Sequence, residues 1–323
     1  MKVHILDDWF DTLRTLPSFR LLDGHEVTVW NDHTDDVALL AERLQPAEAL
    51  VLFRERTAIT APLLERLPNL RLISQRSVYP HVDVPACTAN GVLLCSNMHA
   101  DAPSVAAAEL TFALILSAAR QIPQQMAALQ AGQWQLAPGQ TLRGRKLGLY
   151  GYGRIAKQVA AYARAFGMEV VWWASDRGRE RAMADGEPVA ASRTAFFADS
   201  DFVSVHVRLK PETKGVIRRD DLLAMKPTAS FVNTSRSGLV EKGALEAALE
   251  AGRPGCLALD VFDREPMTPP VDPLVLHPRV IATPHIGYVT EDELDLQFAD
   301  IYAQINAYAE GAPINMINPE VRG

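Results

Sequence analysis

The chain has 323 residues, a net charge of −7 and a pI near 5.6, with 48% hydrophobic and 22% charged residues. This is the composition of a globular protein with room for two domains, and it excludes a fibrous or disordered chain. No basic block stands out, so nucleic acid and anionic membranes are poor partners, and an enzyme of this charge acting on an anion has to gather positive charge locally. Three cysteines (Cys87, Cys95, Cys256) lack CxxC spacing, fit a reducing compartment and give no support to a metal site. The opening Met-Lys-Val-His-Ile-Leu-Asp-Asp meets acidic residues too soon for a signal peptide. The most apolar stretch, residues 110–119, is well short of the about 20 residues that a membrane span needs. A cytoplasmic protein is expected.

Strands are expected at 3–6, 27–30, 49–53, 70–74 and 92–95, alternating with helices near 9–16, 36–44, 62–66 and 83–90. Such strand–helix units imply a parallel sheet covered by helices on both faces. One long helix is expected over 104–131, then a loop at 132–144 containing Gly, Gln and Pro. From residue 146 the alternation restarts. Strands are expected at 147–150, 169–173, 202–205, 230–232, 257–260 and 280–282, with helices near 154–166, 191–197, 220–225 and 242–251. A last helix is expected at 291–310. The fold class is α/β, with two doubly wound parallel sheets.

The strand at 147–150 runs into Gly151-Tyr152-Gly153-Arg154-Ile155-Ala156, a GxGxxA pattern. The helix that follows carries apolar residues at Ile155, Val159, Tyr162, Ala163 and Phe166, the spacing of one helical face. In this setting the first glycine makes a tight turn, the second lets backbone approach a pyrophosphate, and Ala156 allows close helix–strand packing. The end of the next strand usually carries an acid for the adenosine ribose. Here it reads Trp173-Ala174-Ser175-Asp176-Arg177-Gly178-Arg179, so Asp176 comes about two residues late. Asp176 points to NAD; Ser175 with Arg177 and Arg179 offers a 2′-phosphate site and keeps NADP open.

Three late segments each set a charged or titratable side chain just past a strand. They are Asn233-Thr234-Ser235-Arg236-Ser237-Gly238, Asp260-Val261-Phe262-Asp263-Arg264-Glu265-Pro266 and Thr283-Pro284-His285-Ile286-Gly287. The C-terminal rim of an open α/β sheet is where ligands bind. Reducing a keto acid needs a cation for the carboxylate and keto oxygen, and an acid that delivers a proton as hydride arrives. Arg236, Glu265 and His285 meet those needs, with the carboxylate orienting the imidazole and favouring its protonated form.

These three segments resemble the late signatures of the D-isomer-specific 2-hydroxyacid dehydrogenases. Ala108-Glu109-Leu110 with Arg120 is similar to the family's long helix, and the glycine loop and Leu245-Glu246-Ala247-Ala248-Leu249-Glu250-Ala251-Gly252 fall in the family's order. The resemblance is collinear over nearly the whole chain. It implies a Rossmann-type dinucleotide-binding domain (100–287) inserted in a flavodoxin-like substrate domain (1–99 plus 288–323), with the site in a hinged cleft. It implies that Arg236 binds the substrate carboxylate and keto group, that His285 is the general acid/base and that Glu265 is its partner. Gly151, Tyr152, Gly153, Arg154, Ile155, Ser175, Asp176, His206, Val207, Arg208, Thr213, Thr234, Ser235, Asp260 and Gly287 would surround the cofactor. A homodimer through the dinucleotide domain is implied, with 104–131 as the candidate interface, and a small 2-keto or 2-hydroxy acid as substrate.

The sequence departs from the family's pattern after the fourth strand, where a glycine-containing loop usually holds the substrate carboxylate. Here Gln75-Arg76-Ser77-Val78-Tyr79-Pro80-His81-Val82-Asp83 has no glycine. Backbone donors at Ser77, Val78 and Tyr79 remain available to a substrate, with Arg76 adding charge. Replacing Tyr79 by Gly is expected to change relative kcat/KM among 2-keto acids. Arg208 stands where the family commonly has proline. The chain ends at Gly323, which predicts no C-terminal regulatory domain. Formate dehydrogenases carry glutamine where Glu265 stands. A phosphite-type dehydrogenase and a non-catalytic NAD(H)-sensing binding protein stay open as alternatives.

Overall fold

The structure, a computed structural model, describes residues 1–98, 105–267 and 269–322. The chain divides into two compact units, Met1–Pro103 with Thr290–Gly323, and Ser104–Val289.

In the first unit the strands are β1 (Lys2–Ile5), β2 (Glu26–Val29), β3 (Ala49–Val51), β4 (Leu72–Arg76) and β5 (Leu93–Asn97). They pair in parallel in the order β2-β1-β3-β4-β5, the doubly wound order of flavodoxin-type sheets. The inner strands β3 and β4 are buried along nearly their whole length, as expected of a parallel sheet covered on both faces. Leu6, Leu50, Ile73 and Leu94 lie in the core beneath the helices. Asp36 and Asp83 accept from the first backbone N–H groups of Val37–Leu44 and Val84–Ala89 and so set where those helices begin. The helix expected at 9–16 does not form. The Asp8 carboxylate takes the Thr12 and Leu13 N–H groups, Asp11 is left-handed (φ 49°), and only 3-10 turns at Leu13–Thr15 and Pro17–Leu22 follow.

The second unit carries β6 (Lys146–Tyr150), β7 (Glu169–Trp173), β8 (Phe202–Val205), β9 (Ser230–Asn233), β10 (Cys256–Leu259) and β11 (Val280–Ala282). All pair in parallel in the order β11-β10-β9-β8-β6-β7. The winding reverses between β6 and β8, and ligands of such sheets bind beyond the strand ends at that point. The single long helix expected over 104–131 is instead two, Ala106–Arg120 and Ile122–Gln130; Ser104 lies outside the described residues. Pro123 has no N–H and its ring would meet the carbonyl of Ala119, so the chain turns through left-handed Gln121 (φ 52°). The freed Ala119 carbonyl accepts from the Gln140 N–H at 2.7 Å. The charged stretch after β7 is also more ordered than its composition suggests. It forms the helix Asp176–Ala184, capped by Ser175.

Candidate active site

Each late signature begins where a strand of the second unit ends. Beyond β9, the Asn233 side chain donates to the Arg236 carbonyl (2.9 Å) and accepts from the Ser235 N–H (3.0 Å), while the Ser235 hydroxyl donates to the Val205 carbonyl at 2.6 Å. This small knot holds Arg236 at the rim, half-buried. Beyond β10 lies Asp260, fully buried. Its carboxylate accepts from the Thr283 hydroxyl (2.6 Å) and from the N–H groups of Ile286 (2.8 Å) and Gly287 (2.9 Å). The approach at Gly287 is close, since a Cβ there would stand 3.1 Å from the Asp260 carboxylate. Burial pushes the Asp260 carboxyl above its usual range, against the pull of those three donors.

The loop clamped by Asp260 carries His285 in a left-handed conformation (φ 53°), an uncommon state for a residue with a Cβ. His285 Nδ1 donates to the Glu265 carboxylate. The other Glu265 oxygen accepts from the Phe262 N–H at 2.7 Å. Burial alone would raise the Glu265 carboxyl. The hydrogen bond and charge of His285, the Phe262 N–H and the charge of Arg236 outweigh burial and hold it below its usual range. Tyr288 packs edge-on against the imidazole at 5.6 Å between ring centres. With Nδ1 engaged, Nε2 has no partner among the described residues and is the atom left for substrate. The three residues expected from the sequence therefore converge.

At the switch point, Gly151 (φ 113°) lies so close to β8 that an added Cβ would stand 2.4 Å from the His206 carbonyl oxygen. Gly153 is the opposite case. A Cβ there would meet nothing, and no side chain caps the helix Arg154–Ala165 that starts beside it. An uncapped helix N-terminus beside open space suits an anion such as a pyrophosphate. A hollow of about 530 Å³ opens there, lined by Tyr152, Gly153, Arg154, Lys157, Gln158 and Arg181 among others. A second hollow of about 280 Å³ includes Ala229, Gly255, Cys256 and Arg279 in its lining, away from the three signatures.

Residues 112–287 match the family model described as D-isomer specific 2-hydroxyacid dehydrogenase, NAD binding domain. The chain belongs to the D-isomer specific 2-hydroxyacid dehydrogenases. The glyoxylate reductase of Aeropyrum pernix is 34% identical over 314 residues, covering 92% of this chain and 91% of that protein. The D-3-phosphoglycerate dehydrogenase of Methanocaldococcus jannaschii is 37% identical over 256 residues, 78% of this chain but 48% of that protein. The chain thus spans about half the length of that relative. A crystal structure of phosphoglycerate oxidoreductase from Vibrio cholerae o395 superposes with a TM-score of 0.91 at 43% identity, covering 97% of this chain and all of that one.

Several residues expected at the family's cofactor site are engaged elsewhere. The Tyr152 ring packs edge-on against Trp172 in the core and its hydroxyl donates to Asp185, so only its backbone is left for a ligand. Asp260 clamps the His285 loop instead of facing outward. The Thr213 hydroxyl ties its own loop, donating to the Arg208 carbonyl and accepting from the Lys210 N–H. Thr234 is hydrogen-bonded to Thr111 at 2.7 Å. Ser175 caps its helix, and Asp176 is paired with Arg179, whose guanidinium stacks on Trp173. Burial pulls the His206 imidazole down to about 4, so it is neutral near neutral pH; Ser204 hydrogen-bonds it at 2.9 Å. Val207 packs on the core, whereas Arg208 is exposed.

In the first unit, Arg76 is paired with Asp300 at 3.0 Å. The Ser77 N–H donates to the Asn97 carbonyl, which removes it from the expected substrate donors. Those of Val78 and Tyr79 have no acceptor among the described residues. The Tyr79 ring packs against the unit's core, so Tyr79→Gly would also remove core packing. Sequence reasoning did not find Thr283 or Tyr288, whose roles come from contacts with Asp260 and His285.

Replacing Gly151 by Ala is expected to weaken NADH binding about tenfold or more, since both the left-handed backbone and the 2.4 Å approach must give way. A fluorescence titration with NADH checks this.

Proposed function

We propose that the chain reduces small 2-keto acids to D-2-hydroxy acids, and the reverse, with His285 as general acid/base. The observation that carries this reading is the His285 imidazole held through Nδ1 by Glu265, with Nε2 left for the substrate oxygen. Bound nicotinamide supplies or accepts the hydride. His285 Nε2 gives its proton to the keto oxygen, and Arg236 binds the carboxylate and polarises the carbonyl. Glu265 keeps the imidazole oriented through Nδ1. Within the first unit, the Val78 and Tyr79 N–H groups, which have no acceptor among the described residues, are proposed as donors to a substrate carboxylate.

We propose NAD(H) as the cofactor. Asp176 opens the helix after β7 with its carboxylate 88% exposed, where it suits ribose hydroxyls and repels a 2′-phosphate. Arg177 and Arg179 are the features that would favour NADP(H). The test is loss of absorbance in the reduced-nicotinamide band over a panel headed by glyoxylate and hydroxypyruvate, with NADH and NADPH in parallel. Turnover with tight substrate preference supports the reading. Cofactor binding without turnover on any 2-keto acid would replace it with a sensing role.

Glu265→Gln is expected to lower kcat for reduction about 10²-fold, because the imidazole loses the carboxylate that holds its Nδ1, while the Kd for NADH stays near its original value. An unchanged kcat removes Glu265 from this role.

The protein is also proposed to form a homodimer through this second unit. Ile122, Met126 and Leu129 share one exposed face of their helix, and Trp134 (79% exposed) and Leu136 follow it. A second copy related by a two-fold axis would cover this face. Trp134→Glu is expected to give the mass of one chain, 35.5 kDa, by light scattering where the unaltered protein gives twice that. No helix among the described residues is long and apolar enough to cross a membrane. The three cysteines are all unpaired, which supports a cytoplasmic location.

A further inference from the structure

We infer that Gln75 is a positioning residue that turns the Val78 and Tyr79 N–H groups outward to receive the substrate carboxylate. This rests on the proposed reading that the 77–79 loop holds that carboxylate.

Gln75 lies near the end of β4 and is 1% exposed. Its Nε2 donates to the Ser77 carbonyl (2.9 Å), to the Ser96 hydroxyl oxygen (3.0 Å) and, more weakly, to the Val78 carbonyl (3.3 Å). Three acceptors around one nitrogen settle which end of the amide points at the loop. Ser96 relays the contact, because its hydroxyl donates to the same Ser77 carbonyl at 2.7 Å. The buried amide thus draws two successive carbonyls inward. In a trans peptide the C=O and the following N–H point in opposite directions. With the Ser77 and Val78 carbonyls inward, the N–H groups of Val78 and Tyr79 face outward together. Adjacent parallel N–H groups form an anion-binding concavity.

The loop lacks the glycines that would let its backbone adopt such a shape freely. Ser77 is nonetheless left-handed (φ 76°), with its own N–H tied to the Asn97 carbonyl. A side chain from below thus does what glycine does in related loops. The strut is itself braced. Gln304 Nε2 donates to the Gln75 carbonyl (3.0 Å) and to the Ser74 hydroxyl (2.8 Å), and the Ser74 hydroxyl donates to the Ile301 carbonyl at 2.8 Å. Arg76, next in sequence, is turned to Asp300 and adds nothing to this support.

The test is steady-state kinetics on a 2-keto acid that the unaltered protein reduces, with NADH. Gln75→Met keeps the side chain's length and removes the donor. It is expected to raise KM about tenfold with kcat within about twofold, because the loss falls on substrate binding. The Kd for NADH should not move. Ser96→Ala removes one of the two donors to Ser77 and should raise KM less. Gln75→Glu sets a carboxylate against two carbonyls at neutral pH. As pH falls and Glu gains a proton to donate, its KM relative to the unaltered protein should drop, a readout that loosened packing alone would not give. Val78→Pro deletes one outward donor directly, with Tyr79→Pro in its place if the first does not fold. If the proline variant raises KM while Gln75→Met and Ser96→Ala leave it unchanged, the inference about Gln75 is overturned and the loop reading stands. If the proline variant also leaves KM unchanged, the loop does not hold the carboxylate and both fall. Should Gln75→Met fail to fold, Ser96→Ala and the pH series on Gln75→Glu decide in the same way.

Discussion

Replacing His285 by Ala is expected to lower kcat for 2-keto acid reduction about 10³-fold while the Kd for NADH stays near its original value. Two observations set this expectation. The imidazole Nε2 has no partner among the described residues, and Nδ1 is held by Glu265. The glycine loop that would take the cofactor stands at the β6/β8 switch point, and among the described residues no hydrogen bond of His285 reaches it. Proton transfer and cofactor binding are therefore separable. Pre-steady-state mixing with NADH, followed by nicotinamide absorbance, measures both. A variant that keeps near-normal kcat would move the acid/base role to another residue.

Replacing Asp260 by Ala is expected to cost activity and stability together. The change leaves the Thr283 hydroxyl and the Ile286 and Gly287 N–H groups without their shared acceptor in a fully buried setting. A buried donor left unmade costs about 1–3 kcal/mol; with water entering the new space, about 3 kcal/mol in total is expected. For a unit of this size that is a fall in Tm of roughly 6–12 °C. The same three contacts hold His285 in its left-handed conformation, so kcat should drop by about 10²-fold even at temperatures where the protein is fully folded. Asp260→Asn, which keeps one acceptor oxygen, should recover part of both losses. Unchanged kcat in folded Asp260→Ala would show that the loop keeps its shape without the clamp.

The fold was largely legible in the chain. Apolar runs at β3 and β6 announce strands buried on both faces, and turn signals between the strands announce crossovers. The failures have local causes. The composition of 9–16 permits a helix, but the Asp8 side chain competes for the N–H groups that a helix would use. The helix over 104–131 had a continuous apolar pattern that hid the effect of Pro123. Residues 176–184 have too little hydrophobicity to advertise a helix, and only the Ser175 cap and the packing of Gly178 and Ala182 reveal it.

The sequence by itself determined where the three signature side chains stand. Arg236, Glu265 and His285 each follow an apolar strand, and parallel strands deliver their C-terminal ends to one rim whatever the details of packing. The glycine pattern was equally readable, since φ above zero at Gly151 is a backbone requirement that few residue types meet. What only the tertiary structure decided is which polar groups are already engaged. Asp260, Tyr152 and Thr213 have the right residue types to touch a ligand, yet each is bound to a neighbour far off in sequence or to its own loop. The Gln75 strut escaped notice because a glutamine at the end of a strand looks like any solvated polar residue. A hydrogen bond depends on distance and angle between groups brought together by folding, and neither is encoded in local spacing.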